Sequence, residues 1–244
     1  MTSVKIAYCL FCALSVLPIN GAEKSDSSKV DFSGVVSLNS NGIASIPAFS
    51  LGKPALVSSL SVGKGRFSYD PTLAYALTMK PWFIDNWLHF KIINKDAFVL
   101  RLGWNFSTFL SETRFGEESI LKGERYFAGE IAGIIKMTSN SRLTLMYWSD
   151  NGIEPGSISG HYGSITGEIN NVNIGESLFF SGSVQLFYIN YDGNNDGFFV
   201  SPRLAWNYGN LPLSLFFQAS QVIQSNIEPS PGFRWNVGVD FSFN

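Results

Sequence analysis

Cysteine is confined to two positions near the N-terminus, Cys9 and Cys12. The segment that holds them begins with Lys5 and an apolar stretch from Ile6 to Leu17, followed by Pro18 and the small pair Gly21-Ala22. That order is the pattern of a secretory signal, with cleavage expected after Ala22. Bulky Tyr8 stands where a lipid-modified Cys9 wants a small residue, so the lipoprotein alternative is disfavoured. With residues 1–22 removed the chain has no cysteine, which excludes disulfides, thiol catalysis and cysteine-based metal sites. Long hydrophobic runs are also missing, and without about eighteen consecutive apolar residues there is no helical membrane span. Charge is scarce at 15% of residues, against a usual share of about 25%. The formal net charge of −2 leaves no basic footprint, so nucleic acid is not an expected partner.

What is present is alternation. After a linker over residues 23–29, stretches of roughly ten residues switch between apolar and polar, separated by turn residues, about twelve times up to the C-terminus. Strands are expected near 30–39, 54–63, 66–79, 82–94, 97–110, 122–138, 141–150, 158–172, 177–191, 197–209, 212–225 and 232–244. In the last of these Trp235, Val237, Val239, Phe241 and Phe243 share one face, and Arg234, Asn236, Gly238, Asp240 and Ser242 the other. Glycine (23 residues), serine and asparagine favour turns and close strand packing over helices.

The connections carry a second argument. Even-numbered strands lead into tight turns, at 63–65, 94–96, 139–141, 174–176 and 209–211. Odd-numbered strands lead mostly into longer segments, at 40–53, 111–121, 151–157, 192–196 and 226–231, with Lys80-Pro81 the exception. Short on one rim and long on the other is the asymmetry of a barrel with periplasmic turns and external loops, and an even strand count puts both termini on the periplasmic side. A soluble sandwich or lipocalin-like barrel is the competing all-β reading. Strand length disfavours it, because about ten residues match a tilted membrane strand better than the usual five or six. So do the arginines on the polar faces, which a dry core would not tolerate unpaired. Tyr69, Trp82, Trp104, Tyr147, Tyr188, Tyr208 and Trp235 lie near strand ends, where interfacial aromatic girdles belong. The expected fold is therefore an all-β transmembrane antiparallel barrel of about twelve strands over residues 30–244.

The ending Phe241-Ser-Phe243-Asn244, with its alternating hydrophobics, resembles the C-terminal assembly signal of bacterial outer-membrane proteins. That family usually ends on the aromatic residue itself, whereas here Asn244 follows Phe243. The resemblance implies residence in the outer membrane of a Gram-negative cell, contact with its lipid, and recognition by the insertion machinery.

By parity the inward set comprises Asp85, His89, Lys91, Arg101, Glu124, Glu130, Arg142, Glu168, Arg203, Arg234 and Asp240. Channel lining is assigned to His89, Lys91, Arg101, Glu130, Arg203, Arg234 and Asp240. Arg101, Arg203 and Arg234 are expected near mid-height, opposite Glu130 or Asp240, as a constriction for small polar solutes with no cofactor or metal. Inert pairing of these charges across the lumen is the structural alternative. Two other functions compete. An outer-membrane lipid hydrolase would use the outward pair His161 and Ser159, although no orienting carboxylate accompanies them. A recognition or plugged barrel would use the mixed-charge loop Ser111–Lys122. The Asp192-Gly-Asn-Asn-Asp196 run reads as a turn rather than a calcium loop, lacking the terminal glutamate of an EF-hand.

Overall fold

The computed structural model describes residues 29–44, 50–115, 118–193, 195–228 and 230–244. The expected signal and all of the linker except Lys29 lie outside these residues. Twelve strands follow one another: β1 Asp31–Asn39, β2 Ala55–Lys64, β3 Phe67–Ala76, β4 Pro81–Asn94, β5 Phe98–Phe115, β6 Glu118–Lys136, β7 Ser141–Gly152, β8 Ser159–Asn173, β9 Leu178–Tyr191, β10 Asn195–Tyr208, β11 Leu213–Ser225 and β12 Arg234–Phe243. Each pairs antiparallel with its sequence neighbours, and β1 pairs with β12 from Gly34↔Phe243 to Asn39↔Gly238, closing a barrel. Closure leaves no unpaired edge, the one arrangement in which strands can sit in hydrocarbon.

The side-chain period of two divides the wall into opposite environments. On β12, Trp235 and Phe241 are 51% and 44% exposed, while Asn236 and Asp240 are 1% and 7% exposed. Every strand places large exposed apolar residues on the outer face, among them Leu88, Trp104, Phe127, Leu145, Ile165, Leu186, Phe198 and Leu215. Water-soluble proteins do not carry so continuous an apolar surface. A transmembrane barrel does, because lipid covers it. Asn86 lies on the same outer face and is satisfied locally. It accepts from the Tyr69 hydroxyl at 2.7 Å and donates to the Phe106 carbonyl at 3.0 Å. Tyr69, Trp104, Tyr147, Tyr208 and Trp235 are exposed as a girdle requires. Trp82 is not. It occupies the irregularity where Tyr75 pairs Pro81 and Ala74 pairs Phe83, and its ring is buried against Ala55, Ala74 and Leu51.

One rim carries tight turns and, beside them, the start of β1 and the end of β12. Gly65 (φ 63°) and Gly209 (φ 56°) adopt the left-handed conformation those turns need. The other rim carries longer connections, two of which depart from the sequence reading. Ser111–Leu121 is not a loop, because β5 and β6 extend to 18 and 19 residues and stay paired as far as Phe115↔Glu118. Above a bilayer no face needs to be apolar, so the alternation fades while the backbone ladder continues. In the Ser40–Lys53 stretch, the least regular, the described residues 40–44 and 50–53 fold inward instead, with Ile43 and Ala44 lining an interior cavity. Gly42 donates to the Lys53 carbonyl and Leu51 to the Gly42 carbonyl, at 2.8 and 2.9 Å. Gly42 is jammed against the Trp82 ring, where a Cβ would lie 2.9 Å from the indole.

Candidate functional site: the barrel interior

The inward residues fall into two zones stacked along the barrel axis. Toward the tight-turn rim the zone is ionic. Arg101 on β5 reaches Glu130 on β6 with two donors, Nη2 at 2.8 Å and Nε at 3.1 Å from the same carboxylate oxygen. The Glu130 side chain is almost wholly buried. His89 on β4 stands directly across from Gly103, and Gly103 from Glu130. Because Gly103 has no side chain, the imidazole lies flat over β5, where a Cβ would come within 2.7 Å of it. His89 Nδ1 is 2.5 Å from Asp70 Oδ2 and Nε2 is 3.6 Å from Glu130 Oε1, so one imidazole sits between two carboxylates. The Ser61 and Ser68 hydroxyls also donate to Asp70. The Trp87 ring stacks on the imidazole at 5.4 Å and 4°.

On the far wall Arg203 of β10 pairs with Asp240 of β12 at 2.5 Å, and Ser37 donates to the same carboxylate at 2.7 Å. The Arg203 guanidinium lies 4.2 Å from the Phe216 ring centre. Arg142 and Glu168 pair closer to the tight-turn rim. Lys91 lines a cavity of about 370 Å³ with Asp31, Asp70, His89 and Arg101, and forms no salt bridge among the described residues. These residues share the face of the wall opposite the exposed apolar one. Arg234 does not join the expected group. It lies six positions before Asp240 on one strand, roughly 20 Å away along it, and its Nε donates to the Pro231 carbonyl at the loop rim. Extended chain cannot bring both to one height.

Toward the loop rim the interior is aromatic. Trp148, Tyr162, Phe187 and Phe199, from β7 to β10, form a continuous stack with centroid spacings of 4.1, 5.6 and 5.0 Å. Ile189, Tyr191 and Ile227 complete a buried cluster inside the barrel. Sequence parity passed over this cluster, although its signal was present: Phe187, Ile189 and Tyr191 share one face, and Phe198-Phe-Val200 is apolar on both. Opposite the stack, a cavity of about 200 Å³ is lined by Phe83, Asp85, Trp87, Asn105, Tyr126, Trp148 and Asp150, with Ile43 and Ala44 of the inturned loop. A third cavity, about 500 Å³, opens at the loop rim beside Trp82 and Glu124.

The proposed hydrolytic pair is not assembled. His161 Nδ1 is engaged by the Tyr147 hydroxyl at 2.8 Å, and the Ser159 hydroxyl donates to Asn151 at 3.0 Å. Asp192 accepts from the Ser159 amide and Asp196 from the Tyr188 hydroxyl, so the two carboxylates serve separate structural contacts. No group of histidine, cysteine and acidic residues suited to a metal occurs among the described residues.

No family model matches the sequence, and no curated protein matches it. Its fold is similar to that of solved porin barrels. The KdgM porin in complex with disordered oligogalacturonate superposes with a TM-score of 0.54 at 11% identity, over 88% of this chain and 100% of that one. The KdgM porin gives 0.54 at 12% identity, over 87% and 99% of the two chains. The NanC porin gives 0.49 at 9%, over 87% and 100%. At these identities the likeness is one of fold.

Proposed function

We propose that this barrel is an outer-membrane channel for small polar solutes, with both termini on the periplasmic side. The ionic layer formed by Asp70, His89, Glu130 and Arg101 is its narrow section. The observation that carries this reading is the position of that layer. It lies inside an apolar-faced barrel, with the 370 Å³ cavity on its tight-turn side and the 200 Å³ cavity on its loop side. A charged and hydrogen-bonding wall between two spaces offers a solute partial replacement of its hydration shell. The KdgM neighbours, which are porins, support the same reading. The exposed tyrosines and tryptophans would seat the barrel in outer-membrane lipid, and β12 would present the assembly signal to the insertion machinery.

Planar bilayer recording of the refolded chain tests the proposal. Unitary conductance steps are expected, and Arg101→Ala should change their size and ion preference. Absence of unitary steps from folded, inserted protein would overturn it.

One set of contacts favours a second reading, a barrel closed by its own side chains. The buried stack from Trp148 to Phe199 and, from the segment after β1, Ile43 and Ala44 both occupy the loop-side interior. Shortening that segment distinguishes the two, because a plug releases current on removal whereas an open channel conducts with or without it.

A further inference from the structure

We propose that the loop-side cavity is a binding site for small organic cations, solutes bearing a primary or quaternary ammonium group. The inference rests on the channel reading for its purpose, while binding itself needs only the folded barrel. Two carboxylates face this space, Asp85 from β4 and Asp150 from β7. Asn105 hydrogen-bonds Asp85, and the Trp148 indole and the Gly160 backbone lie within reach of Asp150. Among the described residues no lysine, arginine or histidine lines the cavity and neither carboxylate joins a salt bridge, although His161 acts on Asp150 electrostatically from outside the cavity. The turn-side zone is different, for there Asp70, Glu130, Glu168 and Asp240 each have a basic partner. A carboxylate held inside a barrel without a counterion is costly, and the cost is relieved either by taking up a proton or by a mobile cation; a cation in this cavity favours the ionised form.

The remaining walls fit the same guest. Trp87 and Trp148 approach at 6.0 Å between ring centroids with their planes 44° apart, and Phe83, Phe109 and Tyr126 surround them. Aromatic faces are electron-rich and attract cations that lie within about 6 Å of the ring centre, most strongly where water is displaced. Rings alone would accept any apolar solute and carboxylates alone any metal ion. Together they select an ammonium group, which is both positive and partly apolar. At about 200 Å³ the cavity is smaller than the roughly 300 Å³ at which pockets for drug-sized ligands begin, so the guest has only a few heavy atoms. Anions meet two like charges and no donor of opposite sign.

The test uses the full chain refolded in lipid nanodiscs, titrated with tetramethylammonium chloride against sodium chloride at constant ionic strength. Tryptophan fluorescence should respond saturably to tetramethylammonium and not to sodium or to added acetate. Asp85→Asn and Asp150→Asn should each weaken the apparent affinity at least threefold, and the double variant at least tenfold. Circular dichroism and heat-modifiable migration confirm that each variant is folded. No saturable response in the wild type, or equal affinity in the two single variants and the wild type, would overturn the proposal. Bilayer recording separates it from the channel reading. Saturable binding without conductance upholds the site and removes the channel, whereas conductance without binding removes the site alone.

Discussion

The two halves of the interior solve the same problem by different means. Toward the tight turns, polar side chains close on one another through Arg101–Glu130, Asp70–His89 and Arg203–Asp240. Toward the loops, rings from Trp148 to Phe199 close by stacking, and Asp85 and Asp150 beside them join no salt bridge among the described residues. The difference separates strength from selectivity. Stacked rings hold strands together by apolar burial, which is insensitive to salt. A paired charge holds its strands together and also presents a polar face to whatever passes. The aromatic half is therefore expected to dominate stability, and the ionic half permeation.

The largest effect tests that division directly. Phe199→Ala removes a ring that is 1% exposed between Phe187 and its neighbours, and should lower the unfolding free energy by about 3–4 kcal/mol. Urea titration of the refolded barrel would show it, with little change in ion preference where the variant still inserts. Arg101→Ala comes next. It strands the buried Glu130 carboxylate and should cost about 2–3 kcal/mol, while the double replacement Arg101→Leu with Glu130→Leu should be milder than the single one. If the double variant is the less stable, the pair braces the wall more than its desolvation opposes it. Gly103→Ala should cost about 1–2 kcal/mol by pushing on His89, and should show as displaced His89 ring signals in an NMR spectrum. The smallest effect lies in the loop after β7. The Glu154 carboxyl is held below the usual glutamate range, first by the Arg125 backbone amide and then by the Arg125 guanidinium. This contribution is present above the ordinary glutamate range and disappears as pH falls through the lowered value. Protection of the Arg125 amide, taken relative to its intrinsic exchange rate at each pH, should therefore fall in acid, and Glu154→Gln should lower that protection near neutrality.

The wall of the barrel was legible in the sequence because a bilayer enforces it. Lipid demands an apolar outer face at every second residue, so strand positions, sidedness and the inward parity of Arg101, Glu130, Arg203 and Asp240 could be read directly. Features free of that demand could not. Above the membrane, the Ser111–Leu121 stretch keeps its ladder without alternating. Inside the lumen, either polar or aromatic residues satisfy the wall, so parity could not tell Arg203 from Phe199. Height is a third blind spot. Sharing a face did not put Arg234 beside Asp240, because the distance along a strand is independent of the side it faces. Trp82 escaped the girdle through a local irregularity that shifts pairing by one residue, which no regular period reveals.

The junction of the first and last strands has a consequence for biogenesis. There Asn236, 1% exposed, donates to Asn39 at 2.7 Å and accepts from the Asn41 amide at 3.0 Å, while Gly238 leaves no room for a Cβ beside the Leu38 carbonyl. β1, paired with β2 on one side, finds its second mate only when β12 arrives. Until then it is an open border with unanswered amides, and a truncated product has no way to hide it. The seam thus ties closure of the wall to the arrival of β12: before that strand is in place, the free edge of β1 can pair with another chain instead.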